Sequence, residues 1–166
     1  MLLQVTGDIL LSRTQVIAHG VAPNDDFRQG LALALRQQWP AMYKDFRHYC
    51  QSTHAKPGGL WAWAGTGGRR IVGLFTQEAA YGKGAKPGRA TVPYVNHALR
   101  NLRELALAEK FRSIALPRLA TGVGRLDWSD VEPFIHENLG DLGIPVVIYT
   151  TYRKGVEAKL PEHMKV

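Results

Sequence analysis

Apolar positions recur along this chain with two alternating periods. Leu2-Leu-Gln-Val-Thr6 reads as a strand that stops at Gly7, and Thr14 to Val21 reads as a second, mostly buried strand. Pro23-Asn-Asp-Asp26 is turn chemistry. From about Phe27 to Trp39 the period lengthens, with Leu31, Ala34, Leu35 and Gln38 at helical spacing, until Pro40 breaks the helix. Ala41 to Gln51 repeats that pattern, placing Met42, Phe46 and Tyr49 on one side. After the turn Lys56-Pro-Gly-Gly59 come two strands, Leu60 to Ala64 and Arg70 to Thr76, joined by Thr66-Gly-Gly-Arg69. Gln77 to Arg89 reads as a loop. The longest helix opens at Thr91-Val-Pro93 and carries Val95, Leu99, Leu102 and Ala106. Ser113 to Leu116 is a strand. Ser129 with Glu132 has the spacing of a capping box for a last helix that ends at Gly140. Pro145 to Thr150 is the final strand.

Strands alternating with helices predict a layered α/β domain, and the central hairpin makes its sheet mixed. The domain is expected over residues 1–152, with 153–166 a polar tail. In such sheets ligands sit beyond the carboxyl ends of the strands. Three loops should meet there: Asp8-Ile9, Ala22 to Gly30, and Leu119 to Trp128.

With 166 residues, 45% hydrophobic and 21% charged, the chain has the make-up of one ordinary globular domain. No apolar run approaches the ~20 residues of a membrane span, so no membrane partner is expected. Met1 to Asp8 lacks a basic region and a small-residue cleavage site, so no signal peptide is expected. The single cysteine, Cys50, excludes an internal disulfide and any multi-cysteine zinc site, which makes a cytoplasmic setting the default; a monomer is expected. His48 and His54 have no metal-ligand spacing; neither a metal nor a cofactor is implied. A net charge of +7 points to a polyanionic partner, nucleic acid or a phosphate-bearing substrate.

Leu116-Pro-Arg-Leu-Ala-Thr-Gly-Val-Gly-Arg-Leu-Asp-Trp128 runs from strand to helix through Gly122 and Gly124. Such a turn lets backbone N–H groups crowd around an anion, and a helix N-terminus adds positive potential. Three further marks stand in fixed order with it: Gly7-Asp8-Ile9, Ile17-Ala-His-Gly20 leading to Gly30-Leu-Ala32, and Leu74-Phe-Thr76. Together they resemble the macrodomain family of ADP-ribose binders, from Val5 to about Tyr149. The branch it resembles holds the terminal-ADP-ribose glycohydrolase, the DNA ADP-ribosyl glycohydrolase antitoxins and a chromatin-remodeller reader. The ADP-ribose-1″-phosphate phosphatase has a similar arrangement of strand, histidine and loop.

The resemblance implies a three-layer α/β/α sandwich with a central mixed sheet. It places Asp8 on the adenine amine, with the Ile9 backbone beside the ring. Thr121, Gly122, Val123, Gly124 and Arg125 would wrap the diphosphate. The loop from Asp25 through Asp26, Phe27 and Arg28 to Gly30 would flank the distal ribose, near Gln77, and Tyr149 or Tyr152 would flank the adenine. In the terminal-ADP-ribose glycohydrolase a lysine attacks the distal ribose and an aspartate in the glycine turn assists. Here those positions hold Gln77 and Gly124, and glutamine has no nucleophilic amine. Other chemistry then falls to His19, as acid or base, and to Asp25 or Asp26, activating a water. Each has a structural alternative: His19 bonded beneath the loop, the aspartates as caps. Lys83 or Lys86 could supply a relocated amine. The expected function is ADP-ribose binding with hydrolysis of an ADP-ribosyl conjugate, on nucleic acid or protein, or of ADP-ribose-1″-phosphate. A non-catalytic ADP-ribose reader is the alternative.

Overall fold

A computed structural model describes residues 1–79 and 87–166. The strands are β1 (Leu2–Gly7), β2 (Val16–Val21), β3 (Leu60–Ala64), β4 (Arg70–Phe75), β5 (Ile114–Pro117) and β6 (Val146–Tyr152). They form one sheet in the order β1-β6-β5-β2-β4-β3. Every neighbouring pair is parallel except β3 with β4, so the sheet is mixed. The helices are α1 (Gly30–Gln38), α2 (Pro40–Thr53), α3 (Val92–Glu109) and α4 (Trp128–Leu139).

Strand alternation divides the core in two. Val16 and Ala18 of β2, Val72 and Leu74 of β4 and Ile148 of β6 pack on one face, with Leu99 and Leu102 of α3 and Ile135 of α4. Ile17, Val21, Ile71, Phe75 and Val147 pack on the other, with Leu35 of α1 and Met42 and Phe46 of α2. The result is the α/β/α sandwich. All five parallel strands end at the same edge of the sheet, and the loops that follow them meet there.

Three boundaries differ from the sequence reading. The first helix begins at Gly30, not Phe27: Asn24 and Phe27 have φ of 61° and 54°, and a left-handed backbone cannot continue a helix. Pro40 is the first residue of α2 and not only the end of α1, because the N–H it lacks is one a helix start leaves unpaired anyway. Ser129 lies inside α4, whose cap position is Asp127 without a side-chain cap bond; Glu132 instead accepts from Gln4 Nε2 at 2.6 Å. The polar segment after β6 packs back on the domain. Ala158 and Leu160 pack on the second core, and Met164 is 2% exposed.

Candidate functional site: a cleft across the strand ends

A cleft of about 310 Å³ lies over the carboxyl ends of β2, β4 and β5. His19, Gly20, Asp25, Gln77, Gly122 and Gly124 are among its lining residues. An apolar slot of about 420 Å³ adjoins it toward β6, sharing Gly30, Leu31 and Pro117. Ile9, Leu10, Ala34, Tyr149 and Tyr152 complete that slot. The two together have the form of a ligand site: one apolar end, one polar end and convergent donors between.

The donors are backbone amides from two segments. At the start of α1 the N–H groups of Gly30, Leu31 and Ala32 donate to no acceptor among the described residues; the first bond back is Leu33 N to Gln29 O. A helix start leaves these groups free and carries positive potential. Facing them, the turn after β5 folds on Leu126 N to Ala120 O at 2.9 Å and Arg125 N to Gly122 O at 3.1 Å. The amides of Ala120, Thr121, Gly122, Val123 and Gly124 stay unpaired among the described residues. Gly124 must be glycine, since a Cβ there would lie 2.7 Å from Ala120 O and 2.8 Å from Ala90 Cβ. An aspartate cannot stand at that position without opening the turn.

His19 projects from β2 toward the α1–α2 layer, 2% exposed, with its ring edge-on to Phe27 at 5.7 Å. Burial pushes its pKa down from 6.5 to about 4, so at neutral pH the ring is uncharged. Asp25 accepts from Phe27 N at 2.8 Å, the Asx-turn bond that shapes this loop. Burial raises its pKa against that bond. The cleft therefore presents a neutral imidazole beside a carboxyl that takes up a proton more readily than a free aspartate.

These shifts set an expected pH dependence. Below pH 6.5 the unfolded chain protonates His19 and the folded chain does not, so stability falls from there down to about pH 4 and no further on this account. Asp25 acts oppositely: its raised pKa favours the fold as pH drops toward the unfolded value of 3.8. Urea titrations between pH 7 and pH 4 should show a loss of stability that His19→Gln flattens. A His19→Gln variant whose curve parallels the parent's across that window would mean that His19 is not buried uncharged.

Gln77 is 5% exposed; its Nε2 donates to Gly88 O at 2.9 Å and its backbone bridges Ala90. It therefore ties down Gly88 and Ala90 instead of offering a free end. Lys83 and Lys86 lie outside the described residues.

Of the site residues expected from sequence, His19, Asp25, Gly30, Gln77, Gly122, Val123 and Gly124 line the cleft, and Ile9 and Tyr149 line the slot. Burial raises the Tyr149 phenol. Asp8 is buried beside the slot. One of its oxygens accepts from Leu10 N at 3.0 Å and the other from Gly155 N at 2.9 Å. Phe27 is a core side chain, 1% exposed against Tyr43 and Phe46, so its ring has no surface to offer a ligand. Asp26 turns away to pair with Arg28 at 3.2 Å. The Thr121 hydroxyl is turned back onto Arg118 O. The Arg125 side chain is exposed at the rim.

The sequence reading missed Leu10, Leu31 and Ala34 in the slot, and Gln29 and Ala120 in the cleft. Leu31 and Ala34 carry the same helical spacing as the buried Leu35, and nothing in the spacing separates a wall from a core. Among the described residues no group of three His, Cys, Asp or Glu side chains could hold a metal ion. No helix there is long and apolar enough to cross a membrane.

Comparison with known proteins agrees with this geometry. The macrodomain of Thermus aquaticus DarG superposes with a TM-score of 0.79 at 26% identity, over 90% of this chain and 98% of that one. The macrodomain of Mycobacterium tuberculosis DarG gives 0.80 at 23%, over 90% and 97%. Thermosipho africanus DarTG, solved in complex with ADP-ribose, gives 0.79 at 23%, over 99% of this chain and 44% of that one. Among curated proteins, a Thermosipho africanus DNA ADP-ribosyl transferase–DNA ADP-ribosyl glycohydrolase fusion is 27% identical over 92% of this chain. The Mycobacterium tuberculosis DNA ADP-ribosyl glycohydrolase is 26% identical over 76%. The chain spans only 42% and 35% of those two relatives. The macro domain family matches residues 26–135, from the loop that shapes the cleft through the glycine turn into α4, and the chain belongs to that family.

Proposed function

We propose that this chain binds ADP-ribose along the cleft and hydrolyses its bond to a macromolecule, with ADP-ribosylated DNA the foremost substrate. The observation that carries the reading is the pair of unpaired amide rows, Gly30 to Ala32 and Ala120 to Gly124, facing one another across the cleft. A diphosphate supplies the acceptors those donors lack. The apolar slot beside them suits adenine, between Ile9 and Leu31 on one side and Tyr149 or Tyr152 on the other. Each oxygen of Asp8 keeps a second lone pair for the adenine amine, while its bond to Leu10 N holds the Ile9 backbone in place. The distal ribose then lies toward His19, Asp25 and Gln77. The relatives named DNA ADP-ribosyl glycohydrolases support the reaction class.

In this reading a water attacks the anomeric carbon of the distal ribose and the bond to the macromolecule breaks. His19, uncharged at neutral pH, can accept the proton of that water, as a base weakened by its burial, and Asp25 can supply one to the leaving group. Gln77 adds no nucleophile; its tethered amide helps to shape the distal end. That same residue favours a second reading, an ADP-ribose reader without turnover.

Incubation with ADP-ribosylated DNA, ADP-ribosylated protein and ADP-ribose-1″-phosphate in parallel separates the two. Release of ADP-ribose, fastest from DNA, is the expected result. If all three substrates stay intact while ADP-ribose still raises the melting temperature, the reader reading stands.

A further inference from the structure

The rim of the distal end carries unpaired arginines. Ala90 N donates to Gly124 O at 3.1 Å, joining the segment before α3 to the glycine turn. Arg89 precedes one end of that bond and Arg125 follows the other, so one backbone contact places two arginines side by side in the chain path. Both are exposed, and neither forms an ion pair or side-chain hydrogen bond among the described residues. Residues 80–86 contain no carboxylate that could neutralise them. The carboxylate nearest to Arg89 in the chain, Glu78, is held by the Tyr94 hydroxyl at 2.5 Å, and Asp127, two residues after Arg125, forms no ion pair with it among the described residues. Arg118, itself exposed on the cleft wall, lies with its guanidinium 5.9 Å from the Trp128 ring and has no acidic partner among the described residues. Elsewhere Arg13, Arg28, Arg70 and Arg103 are each paired with a carboxylate, while the exposed Arg100, Arg112 and Arg153 form no ion pair among the described residues either; what sets Arg89, Arg118 and Arg125 apart is their place around the cleft.

Gln77 bridges Ala90, so on the reading above a conjugate with its distal ribose at Gln77 would exit past Ala90 and Gly124, with Arg89 and Arg125 next in the chain. We infer that Arg89 and Arg125, with Arg118, receive phosphodiester groups flanking an ADP-ribosylated nucleotide, so that the enzyme reads the nucleic-acid strand as well as the ADP-ribose. This rests on the ADP-ribose reading above. A guanidinium without a carboxylate partner is free to release counterions from a phosphate, and its contribution should fade with salt. A protein substrate offers no regular anions at that exit.

The test compares a short ADP-ribosylated single-stranded oligonucleotide, an ADP-ribosylated nucleoside and ADP-ribose alone, by affinity or, where turned over, by kcat/KM, over a salt series. The oligonucleotide should be favoured at low salt, with a log–log slope of roughly −0.7 for each phosphate contact, while the nucleoside shows almost none. Arg89→Glu should cost the oligonucleotide roughly tenfold and flatten its slope, leave ADP-ribose unaffected, and be partly rescued by Arg89→Lys. Equal handling of oligonucleotide and nucleoside would overturn the inference while leaving the ADP-ribose reading intact. So would an ADP-ribosylated peptide treated as well as the oligonucleotide. Failure of the parent to bind ADP-ribose at all would overturn both.

Discussion

Gly122→Glu is expected to lose ADP-ribose binding by two orders of magnitude or more while keeping the parent's melting temperature. The position tolerates a side chain: a Cβ at Gly122 meets nothing within 4 Å. The glutamate would then stand on the turn whose unpaired amides cradle the diphosphate. A like charge about 4 Å away costs about 4 kcal/mol at a surface-like dielectric, ample for that loss. Gly124 is the internal contrast, since any side chain there collides with Ala120 O and Ala90 Cβ and should damage the turn itself. Thermal melts and calorimetric titration of the Gly122 variant check both halves. A folded variant that still binds would move the diphosphate off this turn.

Phe27→Ala should be the most destabilising substitution in the loop that shapes the cleft. Its ring packs 4.7 Å from Phe46, 5.3 Å from Tyr43 and 5.7 Å from His19, and removing such a buried aromatic costs about 3–5 kcal/mol. The melting temperature should fall by roughly 6–20 °C for a domain of this size. Binding should weaken with it, because the ring is what holds the Asp25–Gly30 segment against the sheet. Arg28→Ala, one residue on, removes only the exposed pair with Asp26 and should change stability by less than about 1 kcal/mol. Similar melting temperatures for the two variants would return Phe27 to the ligand surface, where the sequence reading had placed it.

The contrast between these neighbours shows what the sequence could and could not convey. Helices were legible where one face is buried, because Leu99 and Leu102 repeat at the helical period, and β2 was legible as an apolar run, because Val16, Ile17 and Ala18 are all buried, on alternating faces. The cleft was legible as an ordered set of short segments, each of them at the end of a strand. Phe27 was not legible as core: it follows Asp25 and Asp26 in a stretch with turn chemistry, and only its left-handed backbone turns the ring inward. The capping box at Ser129 has the right residues and spacing, but Gln4, far away in sequence, takes the Glu132 side chain. The last residues read as polar because Met164 and Leu160 are isolated among charges. Their burial depends on a surface left open beside β1, and Gly155 reaches Asp8 there.

Direct titration of ADP-ribose into the parent chain by calorimetry, with AMP in parallel, tests the central claim most simply. The account predicts one saturable site per chain, with AMP weaker because it lacks the second phosphate and the distal ribose. No measurable heat with ADP-ribose, or equal affinity for AMP, would contradict it.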